Sequence, residues 1–229
     1  NGGFIETSGK IISVYGKVDT SSKYGNKGKY LIDPSDIIIM KDAPSGALEE
    51  NFQIPENQEV SYIDMDYLNT QLANNNIEIS TVGTIGNRNG DITIFGGVGS
   101  IITGQGLSLN AAGNINIFNE EINLTGSLGL TANGSIVSNA KLSASEIRAT
   151  STNSFIDISN INNVSNVYAV SNNNINLSSI GSLNLAEVKG KNVFLKSETD
   201  INGKGVVAER VSISSADATS LTLNTPHLN

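Results

Sequence analysis

Leu107-Ser108-Leu109-Asn110-Ala111-Ala112-Gly113-Asn114-Ile115-Asn116-Ile117 holds two aliphatic couplets, Leu-Ser-Leu and Ile-Asn-Ile, joined by a small polar turn. Within each couplet apolar and polar residues alternate with the two-residue period of a short strand that buries one face. The couplet recurs on both sides as Ile92-Thr93-Ile94, Leu128-Gly129-Leu130, Ile156-Asp157-Ile158, Ile175-Asn176-Leu177, Leu183-Asn184-Leu185, Val211-Ser212-Ile213 and Leu221-Thr222-Leu223. One such strand cannot fold alone, but many stacked in register bury a continuous apolar column, which is the construction of a solenoid.

Composition agrees. Hydrophobic residues make up 38% of the 229, yet aromatics are only 5% and Trp is absent, which suits a narrow interior filled in layers by Ile, Leu and Val. From Ile77 to Leu223 the couplets return every few residues, so with roughly three strands per turn a coil takes about 20 to 22 residues. Roughly seven coils at about 4.8 Å each give a shaft on the order of 34 Å for this part. Strands that return to one face after a whole turn pair in parallel, and right-handed crossover is the expected hand. The sequence therefore predicts an all-β fold, a right-handed parallel β-helix (solenoid) with one short helix-containing excursion.

Three stretches are expected along the chain: residues 1–40 as the first coils, 41–74 as an acidic, partly helical excursion packed on the rod, and 75–229 as a continuous shaft. In the excursion Tyr62, Ile63, Met65, Leu68 and Leu72 fall at helical spacing, which predicts a helix over 61–73 with Ser61 as its cap and Asp64 at the capping-box distance. Gly86-Asn87, Asn89-Gly90, Gly113-Asn114, Asn133-Gly134 and Asn202-Gly203 suit left-handed turn positions. Asn162-Asn163 and Asn172-Asn173-Asn174 suit amide ladders between coils. The start at Asn1-Gly2-Gly3 and the end at His227-Leu228-Asn229 suggest a piece of a longer polypeptide.

A net charge of −8 disfavours nucleic acid and anionic membrane surfaces as partners, since both call for a basic face. No apolar stretch reaches membrane-spanning length, so no membrane insertion is expected. The absence of cysteine excludes a disulfide scaffold, a thiolate metal site and a cysteine nucleophile. His227 is the only histidine, so no catalytic, cofactor-binding or metal-binding set is expected and the chain reads as a non-enzyme. Polysaccharide-cleaving β-helices gather acids and bases on one face, whereas Asp91, Glu120, Glu121, Glu146, Arg148 and Asp157 show no one-coil repeat. Glu120 and Glu121, as neighbours on one strand, point to opposite sides. The acids Glu49, Glu50, Glu56, Glu59, Asp64 and Asp66 form a candidate interaction surface without the ligand spacing of a calcium loop. Asn123, Asn133, Asn163 and Asn176 head Asn-X-Ser/Thr sequences and are candidate glycosylation positions. Gly96-Gly97-Val98-Gly99 lacks the lysine of a phosphate loop and reads as a coil turn.

Asn1-Gly2-Gly3-Phe4-Ile5-Glu6-Thr7-Ser8-Gly9-Lys10, then Val18-Asp19-Thr20-Ser21, Gly28-Lys29-Tyr30-Leu31-Ile32-Asp33-Pro34-Ser35-Asp36-Ile37, Asn76-Ile77-Glu78-Ile79-Ser80-Thr81 and Gly90-Asp91-Ile92-Thr93-Ile94 occur in that order. This order resembles two-partner-secretion exoproteins, the filamentous haemagglutinin-like and high-molecular-weight adhesins of Gram-negative bacteria, over about the first 95 residues. Tyr30-Leu31-Ile32-Asp33-Pro34 stands where those proteins carry Trp-Leu-Leu-Asp-Pro, keeping an aromatic plug without the indole. The resemblance implies a large secreted or cell-surface (outer-membrane exterior) adhesin exported through an outer-membrane transporter. It names no ligand; an unidentified host-cell glycan or protein receptor is the expected partner, with a role in attachment and virulence or as the stalk for a distal binder, and the piece itself is expected to be monomeric. Alternatives are a polysaccharide-degrading β-helix, an exoprotein that captures a host carrier such as haemopexin, and a contact-dependent toxin stalk.

Overall fold

In the computed structural model, which describes all residues except 15, 44–59, 84–88, 98, 119–120 and 225–229, the chain winds into a parallel β-solenoid of about eight turns with one short helix. Every described strand pairing is parallel; most join residues about 20 apart, while Lys29–Asp33 and Ile37–Met40 pair across the helix-bearing stretch with Asn76–Ser80 and Ile92–Phe95. The strands form three long faces. The first face stacks Phe4–Ser8, Lys29–Asp33, Asn76–Ser80, Leu107–Ala111 and Ser127–Ala132, then continues through the later halves of Lys141–Ser151 and Ile156–Ser171. The second runs from Ser61–Asp64 through Ile37–Met40, Ile92–Phe95 and Ile115–Phe118 to Arg210–Ser215. The third begins with Ile101–Gly104 and Glu121–Leu124.

Register explains why the couplets suffice. On the second face Ile37, Ile92, Ile115, Ile136, Ile156, Ile175, Val193 and Val211 stand directly above one another. From Ile37 to Val193 all are at most 1% exposed. Each buried aliphatic side chain is worth about 1.5–3 kcal/mol against exposure, so the column supplies the cohesion that short strands lack. The repeat is not constant: Ile115 to Ile136 spans 21 residues and Val193 to Val211 spans 18. The shortening lies on the third face, where Ile117 to Leu128 takes 11 residues and Leu195 to Gly203 takes eight.

Corners repeat as well. Ser151, Ser171, Ser179, Ser197 and Ser215 each donate an Oγ–H to a carbonyl 16 to 18 residues away, at 2.5–2.8 Å. Several also accept a main-chain N–H from two residues on, as Ser179 does from Gly181 and Ser197 from Thr199. At the expected amide ladder, Asn172–Asn174, the side chains bond mostly to main chain: Asn172 and Asn173 donate to the carbonyls of Thr152 and Asn153, and one amide-to-amide bond runs from Asn192 to the Asn174 oxygen. The glycine expectation is corrected. Of the described pairs only Gly90 has the left-handed φ, while a Cβ on Gly113 would lie 2.3 Å from Asp91 Oδ1 and one on Gly134 2.3 Å from Asn114 Oδ1. Those glycines let adjacent coils approach; positive φ falls instead on other glycines, such as Gly83 and Gly205, and on Asp42, Asn160 and Asn163, whose side chains tolerate that conformation.

Helix α1 (Met65–Leu72) starts later than the spacing predicted, because Ser61–Asp64 is a strand. Asp64, not Ser61, is the N-cap: its side chain accepts the N–H groups of Asp66 and Tyr67. The helix lies within the stack, between residues 16–20 and the third-face strand Ile101–Gly104, with Met65, Leu68 and Leu72 buried in the core. Three side-chain amides replace strand pairing there. Asn69 donates to the Ile101 carbonyl at 2.8 Å and accepts from the Thr103 N–H at 2.9 Å. Gln71 does the same with the Gly16 carbonyl and the Val18 N–H, and Asn75 with the Val18 carbonyl and the Thr20 N–H. Each amide thus satisfies the carbonyl and N–H flanking one residue, as the facing residue of a parallel strand does. A helix about 10 Å across fills the height of roughly two strand layers, and Ser61–Asp64 adds a layer beside it on the second face.

Replacing Ile115 or Leu183 with Asp places an unpaired carboxylate in the column and should cost several kcal/mol in denaturant unfolding. Gln71→Ala orphans two main-chain groups at a buried site and should cost about 2–3 kcal/mol. In the neighbouring inward column of the same face, two residues along each strand, Ser138 stands between Ile117 and Ile158, and its buried Oγ has no partner among the described residues. Ser138→Ala should therefore be neutral or raise stability by up to about 1 kcal/mol in the same measurement.

Candidate functional site

Inward positions are committed to the core, so ligand chemistry has to come from the outward positions, and register sorts these into ladders too. On the outward side of the first face the ladder is ionic: Lys29 pairs with Glu78 at 2.5 Å, and Arg148 pairs with Glu146 while lying 3.8 Å over the Tyr168 ring. On the third, Glu121 pairs with Lys141 at 3.2 Å. The second face differs. Its outward positions from Ile92–Phe95 onward include Thr93, Phe95, Asn116, Phe118, Val137, Asp157, Asn176, Ser178, Phe194, Lys196, Ser212 and Ser214. Asp157, Lys196 and Arg210, the exposed residue that opens Arg210–Ser215, are the charged groups described on this stretch of the face, and the others are rings, one valine and neutral hydrogen-bonding groups.

Thr93, Phe95, Phe118, Val137 and Phe194 favour the pleated strand, whereas the Asn, Asp and Ser at the remaining outward positions do not, so there the inward isoleucines carry the strand. Asp157, Asn176, Phe194 and Ser212 occupy the same position of successive coils, about 4.8 Å apart. Together with Ser178, Lys196 and Ser214 they line a shallow concavity of about 220 Å³. Phe194 is 48% exposed there, Phe155 stands two residues before Asp157 and is 39% exposed, and Phe95 is 50% exposed farther along the same face. Large rings exposed in a chain with few aromatics are informative, since nothing in folding requires them to face water.

A second concavity, of about 420 Å³, lies where the first face turns toward the second and is lined by Ser8, Gly9, Lys10, Asp33, Pro34, Ser35 and Gly83. Burial, and then the nearby Glu6 carboxylate, push the Asp33 carboxyl above its ordinary value; the Ser80 hydroxyl opposes this and Glu78 adds to it.

The residues singled out by sequence take various places. Asp64 caps α1 and also accepts the Ala43 N–H, and Asp66 lies in the first helical turn, so both serve the helix start; Glu49, Glu50, Glu56 and Glu59 lie outside the described residues. Asp91 accepts both the main-chain and side-chain N–H of Asn114, which fixes a corner. Glu120 and His227 lie outside the described residues. Asn123 and Asn163 are exposed, Asn133 is exposed but its amide oxygen accepts from Asn153, and Asn176 is part of the second-face concavity. Among the described residues no three His, Asp or Glu side chains cluster as a metal site requires, and no helix is long and apolar enough to cross a membrane. Sequence reading passed over Phe155, Phe194, Lys196 and Ser212. The signal for them was the outward residues within and beside each couplet, Phe194 and Ser212 in the middle and Phe155 and Lys196 at the flanks, read down the register rather than along the chain. No known protein family, curated protein or solved structure matches the chain.

Because the native Asp33 holds its proton to higher pH than the unfolded chain does, stability falls as pH rises through the window just above the ordinary aspartate range. Asp33→Asn should melt above the parent at neutral pH, and the difference should shrink as the pH drops below that range, as followed by thermal melts across pH.

Proposed function

We propose that this chain is a segment of a large secreted, cell-surface adhesin of the two-partner-secretion kind. On this reading it is exported through an outer-membrane transporter and attaches the cell to host cells or matrix. The observation that carries the reading is the second face, where exposed phenylalanines stand among amides and hydroxyls with few charges along the stack. Such a face suits contact along its length, and contacts that are weak one at a time become effective when many rods act together. The ordered motifs of the first 95 residues support the same reading by resemblance. A stalk role is the second reading, favoured by the unbroken stack from Asn76–Ser80 to Thr219–Asn224.

The enzyme reading draws less support. Glu121 and Glu146 are each paired with a base, and Asp91 is spent on a corner, which leaves Asp157 without a second acid in its concavity. Beads coated with the chain should adhere to epithelial cells or matrix, while reducing-sugar release from polyuronides should stay at background. Sugar release abolished by Asp157→Ala would establish the enzyme instead, and absence of adhesion with absence of turnover would leave the stalk.

A further inference from the structure

We propose that the second face binds an uncharged glycan chain, with the Phe194 ring as its platform and Asp157, Asn176 and Lys196 as its hydrogen-bonding rim. This assignment rests on the adhesive reading and names the ligand class for it.

Four observations carry it. Phe194 is half exposed on a rigid strand whose neighbours Val193 and Leu195 are locked in the core, so the ring is presented without ordering a loop. A phenyl ring makes no hydrogen bond of its own, and its flat face suits the C–H face of a pyranose. Around it, Asn176 offers an amide donor and acceptor, Asp157 a carboxylate acceptor, Lys196 a donor and Ser212 a hydroxyl, which is the mixture that vicinal hydroxyl groups require. These groups sit on consecutive coils about 4.8 Å apart, so a chain lying along the rod axis meets equivalent positions in turn.

Charge selects among glycans. The concavity holds one acid and one base and is locally neutral, while the whole chain carries −8. A sulfated or uronic chain, with an anion on every sugar, would find only Lys196 and, beside the concavity, Arg210 to set against Asp157 and the net negative charge of the chain, and an extended cation would find a single carboxylate. A neutral chain meets neither obstacle. Phe155 and the Phe95–Phe118 neighbours extend the same face toward the N-terminal coils, the latter about 19 Å away at four strand spacings from Phe118, giving room for several sugar residues.

The test displays the 229-residue chain on beads against an array of neutral gluco-, galacto- and manno-oligosaccharides beside sialylated and sulfated ones. Parallel arms carry Phe194→Ala, Asn176→Ala and, on the first face, Arg148→Ala. Neutral glycans should be retained with little dependence on added salt. Phe194→Ala and Asn176→Ala should each lower retention roughly tenfold while keeping the parent's melting temperature, and Arg148→Ala should leave retention unchanged. Preference for acidic glycans that added salt abolishes would overturn the assignment. Adhesion to cells that persists in Phe194→Ala would also overturn it while leaving the adhesive reading intact. A parent chain that binds neither cells nor any glycan would defeat both. Sedimentation showing dimers of the parent but monomers of Phe194→Ala, without glycan retention, would assign the face to a second copy of the chain.

Discussion

Parallel pairing in register is the constraint on which everything else in this molecule depends. It sets each residue over its counterpart in the next turn, so that one inward choice made repeatedly becomes a column and one outward choice becomes a surface ladder. The isoleucines from Ile37 to Ile175 show the first outcome, and the run Asp157, Asn176, Phe194, Ser212 shows the second. A shift of one residue in any coil would exchange the two sets, which is why corner devices recur so faithfully. The serine hydroxyls and asparagine amides fix where each strand begins. They do little for cohesion, which belongs to the buried aliphatics.

Polar residues therefore hold two different positions in this fold. At corners they bond to the coil before or after and set spacing, as Asn114 does between Asp91 and Ser135. On the second face the same residue types are left to water, and exposed rings accompany them. The two uses draw on one composition rich in Asn and Ser, and only position in the coil separates them. Carboxylates divide in the same manner: Glu121 and Glu146 pair with basic groups, Asp91 ties down a corner, and Asp157 opens onto the concavity.

Much of the fold was legible because a two-residue period with inward Ile or Leu fits little besides a strand buried on one side. Ile92-Thr93-Ile94 and Ile175-Asn176-Leu177 read as half-buried strands, and half-buried strands they are. The helix boundary was less legible, since Tyr62 and Ile63 satisfy helical spacing and strand alternation equally well and the tertiary pairing of Ile63 with Ile39 decided the matter. Gln71 and Asn75 carried no signal at all. Their value depends on a main-chain segment some 55 residues away, and in a sequence crowded with amides nothing marks these two. Gly113 and Gly134 were noticed but for a different reason, because sequence shows a turn while the closeness of the coil beneath appears only in three dimensions. The surface site was hidden by the same geometry: Asp157 and Phe194 lie 37 positions apart in the chain and two coils apart in space.

The Asn69 amide has a consequence beyond its two hydrogen bonds. An unpaired strand edge offers a row of donors and acceptors on which another chain can add as a further strand. Ile101–Gly104 would present such an edge to anything approaching from the N-terminal side, but Asn69 occupies its central groups and the body of α1 covers the rest. Residues 16–20 are closed off similarly by Gln71 and Asn75. The helix is thus an internal spacer: it ties the coil above to the coil below through side-chain amides where no strand pairing joins them, while Phe4–Ser8, whose described pairing is with Lys29–Asp33 on one side, marks the end of the first face.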